Sequence, residues 1–273
     1  MNLLRLHRAS GRLLRGGRIR RVATSVSDND TYPQFCLDAA ADYGVFETFR
    51  RERVYTKILE HVTREQGEEY LSLLSEDRSL LEAMPEFARN DEVGSPLLYD
   101  YPGVGSVSST TLRYVKVLGD LKRLFGSLDG MRIAEIGVGY GGQCRVINAA
   151  YTPAEYSLID LQPALALTQR YLDHFVLSGP VAYRTMNELV ARDYDLVISN
   201  YAYTELPRPL QDCYYERVLK HSARGYITYN DVNPGSFDSY GLDEFRDKLD
   251  GVRIEPERPL THPKNCVVCW GGG

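Results

Sequence analysis

The residues best placed to do chemistry lie in Ile133-Ala-Glu-Ile-Gly-Val-Gly-Tyr-Gly-Gly-Gln143, where an apolar run enters a glycine turn. Gly137, Gly139 and Gly142 satisfy GxGxxG, while Gly137, Gly139 and Gly141 satisfy GxGxG. Glycines at such a turn admit positive backbone φ angles and let the main chain approach a bound ligand closely. The spacing alone fits either a dinucleotide or another nucleoside ligand. Glu135 separates the two. An ionised carboxylate two residues before the first glycine would repel a pyrophosphate, but it would attract a ligand carrying an ammonium and a sulfonium cation.

The expected cofactor is therefore S-adenosylmethionine, with NAD as the weaker alternative on the same fold. Asp160 closes the next strand-like run, Ser157-Leu-Ile-Asp160. About 20 residues beyond a glycine loop, such a carboxylate serves ribose hydroxyls in nucleotide-binding sheets. It does not discriminate between the two cofactors, because both contain ribose. The cofactor set is Glu135, Gly137, Gly139, Tyr140, Gly141, Gln143, Asp160 and Asn200.

A third stretch, Asp195-Leu-Val-Ile-Ser-Asn-Tyr-Ala-Tyr-Thr-Glu205, reads as a strand ending in an aromatic, polar turn. Tyr201, Tyr203 and Glu205 are expected on the rim where a transferable group would face an acceptor. Methyl transfer is an in-line displacement, so alignment carries much of the acceleration. A hydroxyl nucleophile also needs a base, or a metal that lowers its pKa. Glu205, Asp231 and His262 are the candidate bases; Asp231 could instead cap a turn and His262 close a loop. A divalent metal is left open, and no ligand set for one is assigned.

These residues need a scaffold, and the chain supplies alternating elements. Strands are expected at 131–136, 156–160, 181–185, 194–199 and 226–230. Helices are expected at 110–125, 163–175 and 207–223, the last two with a proline near the first turn. This alternation predicts an α/β, Rossmann-like, doubly wound and mostly parallel sheet. Residues 252–255 and 265–270 would add a closing antiparallel pair. A helical N-terminal cap precedes the sheet, with one long amphipathic helix expected over 45–62 after a break at Gly44. The stretch 90–107, rich in Gly, Pro, Asp and Tyr, is expected as a loop over the site. The organisation is thus a basic arm (1–28), a helical cap or substrate region (29–105) and a catalytic domain (106–273).

Bulk composition narrows the partners. Of 32 basic residues, seven arginines fall within the first 21 positions, which hold no acid. The rest has 25 basic against 37 acidic residues, a net of -12. So acidic a body does not suit nucleic acid, whose phosphates demand clustered Lys and Arg. The arginine-rich start, interleaved with leucines, reads as a membrane-surface arm, a transit segment or a basic tail. No apolar run reaches the ~18–20 residues of a membrane span. Five cysteines are an odd number and no disulfide framework, which fits a cytoplasmic setting, with the arm reaching the inner membrane face. Cys266-Val-Val-Cys269 has CxxC spacing, yet its apolar neighbours read as a buried strand rather than a zinc site.

Several stretches together resemble class I methyltransferases, and more narrowly the sugar O-methyltransferases. They are Tyr43 to Leu59; Asn90-Asp91, Gly94-Ser-Pro96 and Tyr99; and Ser108-Ser-Thr-Thr-Leu-Arg-Tyr114. Further on come AEIGVGYGGQ (134–143), IDLQPALAL (159–167), SNYAYTELP (199–207) and THPKN (261–265). The resemblance covers about 29–270. It implies methyl transfer to a carbohydrate hydroxyl in nucleotide-sugar, glycolipid or polysaccharide assembly, by a chain that could form a homo-oligomer. It also implies that Asn90, Asp91 and Tyr99, within 90–101, together with Ser109 to Arg113, cover the site and meet substrate. A small natural-product alcohol, a lipid or a protein as acceptor, or a noncatalytic subunit, are the other readings.

Overall fold

A computed structural model describes residues 31–230 and 238–272. The basic arm, 1–28, and Asp231 lie outside the described residues.

Seven strands form one mixed sheet: β3 (Arg132–Ile136), β4 (Glu155–Ile159), β5 (Val181–Arg184), β6 (Leu196–Asn200), β7 (Gly225–Tyr229), β8 (Arg253–Pro256) and β9 (Cys266–Trp270). Their order is β5-β4-β3-β6-β7-β9-β8. The first five are parallel, and β9 runs antiparallel to both β7 and β8. This is the α/β architecture expected, with a single antiparallel strand closing it. Strand residues alternate between two apolar clusters. Ile133, Tyr156, Leu196 and Tyr226 face one side, and Ala134, Ile136, Val197 and Ile227 the other. Helices cover both faces, so the strands read as continuous apolar runs. Cys266 and Cys269 are buried along β9 and form no disulfide among the described residues.

Helices α7 (Ser109–Phe125), α8 (Gly142–Ala150), α9 (Gln162–Leu172), α10 (Arg208–Arg217) and α11 (Leu242–Lys248) flank the sheet. The N-terminal cap is built of short helices: α1 (Thr31–Ala41), α2 (Tyr43–Thr48), α3 (Arg53–Thr56), α4 (Arg64–Leu74), α5 (Arg78–Glu82) and α6 (Met84–Ala88). The long helix expected over 45–62 is therefore absent. The break falls at Asp42 instead of Gly44, because the Asp42 carboxylate accepts from the Val45 amide and starts a new helix. A 3-10 turn at Phe49–Arg51 then drives Arg50 inward, where it pairs with Glu60 at 2.6 Å and Asp91 at 3.0 Å.

The stretch 90–107 is likewise not a loop. Tyr99–Tyr101 (β1) and Gly105–Val107 (β2) form a hairpin, with Tyr101 and Val107 buried beneath it. Asp91 pins it from behind, accepting from the Ser108 amide at 2.7 Å and from the hydroxyls of Ser108 and Thr111, each at 2.8 Å. Those bonds also fix the start of α7, whose N-cap is Ser108. A proline- and glycine-rich composition concealed a structure held by one distant carboxylate.

Candidate active site

The strand order reverses between β3 and β6, and crevices at such points are where open α/β sheets bind ligands. A cavity of about 440 Å³ opens there, over the carboxyl ends of both strands. Its floor is the turn Glu135 to Gly139. Gly137 has φ +77 and Gly139 φ +58. A Cβ on Gly137 would stand 2.0 Å from the Ala202 Cβ, and one on Gly139 would stand 2.6 Å from Leu59. The two glycines are thus required by conformation and by the closeness of what lies over them.

Glu135 is 2% exposed and accepts from the Tyr156 hydroxyl at 2.7 Å. Burial pushes its carboxyl up to about 8, with the nearby Asp160 charge acting in the same direction. Asp160 takes backbone N–H bonds from Val138 (2.8 Å) and Leu161 (2.6 Å), so it ties the end of β4 to the glycine turn. Burial still raises it to about 6 against those bonds. No basic side chain pairs with either carboxylate among the described residues. Two acids in a low-dielectric wall, short of cations, fit a ligand that brings its own positive charge.

The opposite wall follows β6. Tyr201 holds φ +68, a strained value for a side chain of that size, and begins the 3-10 turn Ala202–Glu205. Its hydroxyl donates to Glu257, whose other oxygen accepts from the Thr261 amide and hydroxyl. Glu205 accepts from the Asn230 side chain at 2.8 Å, and burial raises its carboxyl above the ordinary value. Asn200, half-buried at the strand end, has an Oδ1 with no hydrogen-bond partner among the described residues, as does the buried Asn265 across the cavity. His262 reaches the same cavity from the loop before β9.

Of the expected cofactor residues, Glu135, Gly137, Gly139, Asp160 and Asn200 line this cavity. Tyr140, Gly141 and Gln143 do not. Tyr140 is fully buried under the Arg50 guanidinium, 4.6 Å from its ring centre, among Phe49, Tyr55 and Tyr171. Gly141 is the N-cap of α8, and Gln143 donates to the Tyr114 carbonyl at 3.2 Å. Of the expected acceptor residues, Tyr201 lines the cavity, whereas Asn90, Asp91, Tyr99 and Tyr203 stand away from it. Asn90 bonds the Gly142 carbonyl, Asp91 holds α7 and Arg50, and Tyr99 lies in the hairpin. Tyr203 is core, its hydroxyl donating to Gln211 while its ring meets Tyr240 and Phe245 edge-on. Glu205 and His262 share the cavity, and Asp231 lies outside the described residues.

The roof consists of Arg113 on α7, within the stretch 109–113 expected over the site, and of cap side chains that the sequence did not single out, His61, Gln66 and Tyr70. No periodic or motif signal marks those three, since they meet the sheet only through tertiary packing. Among the described residues, no group of three His, Cys, Asp or Glu side chains is arranged to hold a metal ion.

No protein-family model matches the chain, and no curated protein matches it. Among solved structures it is similar to magnesium protoporphyrin IX methyltransferase (ChlM) from Synechocystis PCC 6803 with bound SAM, at 15% identity and a TM-score of 0.45, over 57% of this chain and 76% of that one. It is also similar to the pyocyanin biosynthetic protein PhzM, at 14% identity and a TM-score of 0.42, over 60% of this chain. The mitomycin 7-O-methyltransferase MmcR gives 14% identity and a TM-score of 0.42, again over 60% of this chain. The match spans 58% of PhzM and 57% of MmcR, under two thirds of either protein's length.

Proposed function

We propose that the chain is an S-adenosylmethionine-dependent methyltransferase acting on a hydroxyl of a carbohydrate acceptor. The observation that carries this reading is the pairing of a glycine turn with two carboxylates, Glu135 and Asp160, that lack basic partners in one cavity. A dinucleotide's pyrophosphate would disfavour the ionised form of these raised carboxyls still further, whereas a cationic ligand favours it. The bound cofactor would supply a sulfonium methyl group, which passes to the acceptor oxygen as the carbon–sulfur bond breaks and sulfur keeps the electron pair.

The chain's own residues would do the rest. Glu135 would hold the ammonium, and Asp160 would meet the ribose hydroxyls. The orphaned Asn200 Oδ1 would accept a further hydrogen bond at the methionine end. Glu205, raised by burial, would take the hydroxyl proton as the oxygen attacks, with Asn230 fixing its orientation. His262 is the alternative base. Sugar as acceptor is supported by the mixed lining of the outer cavity. Tyr70 and Tyr201 offer flat apolar surface, and Gln66, Asn230 and Asn265 offer hydrogen bonds.

Calorimetric titration with S-adenosylhomocysteine tests the cofactor, and transfer of labelled methyl groups to a panel of free and nucleotide-linked sugars tests the acceptor. Binding of NAD with no heat from S-adenosylhomocysteine would overturn the reading.

A further inference from the structure

Four cationic side chains are buried among the described residues: Arg50, Arg113, Lys116 and Arg145. Three have carboxylates. Arg50 meets Glu60 and Asp91, Lys116 meets Asp120 at 2.7 Å, and Arg145 meets Glu86. Arg113, on the first turns of α7, is 8% exposed and has no carboxylate within ion-pair distance among the described residues. Among the described residues its side chain makes one hydrogen bond, a long one of 3.3 Å from Nη2 to the Leu59 carbonyl, and its guanidinium lies 5.7 Å from the Tyr114 ring centre. The acids around it are engaged elsewhere. Glu60 serves Arg50, and Glu257 is occupied by Tyr201 and Thr261.

A buried guanidinium without a carboxylate in contact is costly, and its planar fork of donors matches a carboxylate or phosphate. The cost is explicable where the group faces a ligand site, and Arg113 does. It lines the main cavity and also a small recess of about 20 Å³ behind Tyr201, which it shares with Lys116, Arg258 and the engaged carboxylate Glu257. The main cavity is consequently divided by charge. Carboxylates lie at the glycine turn, and a lone cation lies on the roof.

We propose that Arg113 anchors an anionic group, carboxylate or phosphate, of a ligand that fills this cavity. Two ligands could present it, and the proposal builds on the methyltransferase reading for the first. One is the α-carboxylate of S-adenosylmethionine, with the ammonium on the same carbon turned towards Glu135. The other is an acidic group on the acceptor, as in a uronic acid or a sugar phosphate. Desolvation by the pocket wall, and then the Arg113 charge, hold His61 down to about 4, so the roof keeps one permanent cation.

The test is calorimetry on wild type, Arg113→Met and Arg113→Lys, with melting curves as a check on folding. The probes are S-adenosylhomocysteine, its decarboxylated analogue, and then glucuronate, glucose 1-phosphate and glucose in the presence of S-adenosylhomocysteine. A cofactor source predicts that Arg113→Met weakens S-adenosylhomocysteine about 30-fold or more while binding the decarboxylated analogue as wild type does. An acceptor source predicts unchanged S-adenosylhomocysteine and loss of the anionic sugars, with glucose unaffected. Arg113→Lys, which keeps the charge but not the fork, should lose about 3- to 10-fold on the same probe, and it decides the matter if the Met variant does not fold. If wild type binds no S-adenosylhomocysteine, the methyltransferase reading fails and the anionic-against-neutral sugar comparison still tests Arg113. The proposal is overturned if no anionic probe distinguishes wild type from the Arg113 variants.

Discussion

Glu135 is where ligand binding and stability conflict most sharply. Its carboxyl titrates near 8 in the folded chain against an ordinary value of 4.5. Between those values the unfolded chain releases a proton that the native one retains. Stability from this residue is therefore complete in acid and is lost as pH rises from 4.5 through 8. Glu135→Gln removes that loss and can still accept from Tyr156. We expect the variant to gain on the order of 2–4 kcal/mol at pH 9 and almost nothing at pH 4.5, read from denaturant melts at both. The same variant should lose S-adenosylhomocysteine binding. A variant less stable than wild type at pH 9 would make Glu135 a structural partner of Tyr156 rather than a binding group. Glu205, proposed as the base, should separate binding from turnover. Glu205→Gln and His262→Ala should bind S-adenosylhomocysteine normally, and at least one should lose methyl transfer by about 10²–10⁴-fold. Full turnover in both would move the base elsewhere.

At the scale of elements, the turn after β3 and the turn after β6 are built against each other. Gly137→Ala would drive a methyl into Ala202 and would also strain φ at +77. The expected result is a loss of about 2–4 kcal/mol together with cofactor binding. Ala202→Gly in the same chain should restore part of the melting temperature, since it relieves the contact but not the backbone strain. No recovery would mean that backbone conformation alone forbids the substitution. This pair also shows what could be read from residues. Gly137 was legible, because glycine spacing after an apolar run has few other uses, but Ala202 as its neighbour was not. The five parallel strands were legible within a residue or two, since each is a short apolar run bounded by turn residues. Hairpin β1–β2 and the broken cap helices were not, because Asp91, Arg50 and Glu60 hold them, with three of the four side-chain hydrogen bonds of Arg50 spanning 40 or more positions. In the cavity, motif residues Glu135 and Asp160 could be found in advance. Arg113 fell within the stretch 109–113 expected over the site, but His61 could not be found, since only packing of the cap over the sheet brings it there.

Across the whole molecule, the cap and the sheet are joined in one structure. Helix α1 packs on α9, and the Arg170 guanidinium on α9 donates to the carbonyls of Ala39, Ala40 and Asp42, each at 3.0 Å. Phe49 and Tyr55 of the cap share one apolar cluster with Ile133, Tyr156 and Tyr171. The cavity takes its floor from the sheet and its roof from the cap, so a ligand there touches both. Opening the cap would expose the Tyr140 ring and leave Arg145 without Glu86, whose carboxylate it meets from α8. Such coupling predicts one cooperative unfolding transition by calorimetry, with the measured enthalpy equal to the van't Hoff value. S-adenosylhomocysteine at a hundred times its dissociation constant should move that single transition upward by about 2.7 kcal/mol of added stability. Two separable transitions, of which the ligand shifted only the later, would mean that residues 31–92 fold and open independently of the sheet. The roof residues, Arg113 excepted, would then belong to a mobile cover rather than to the binding site.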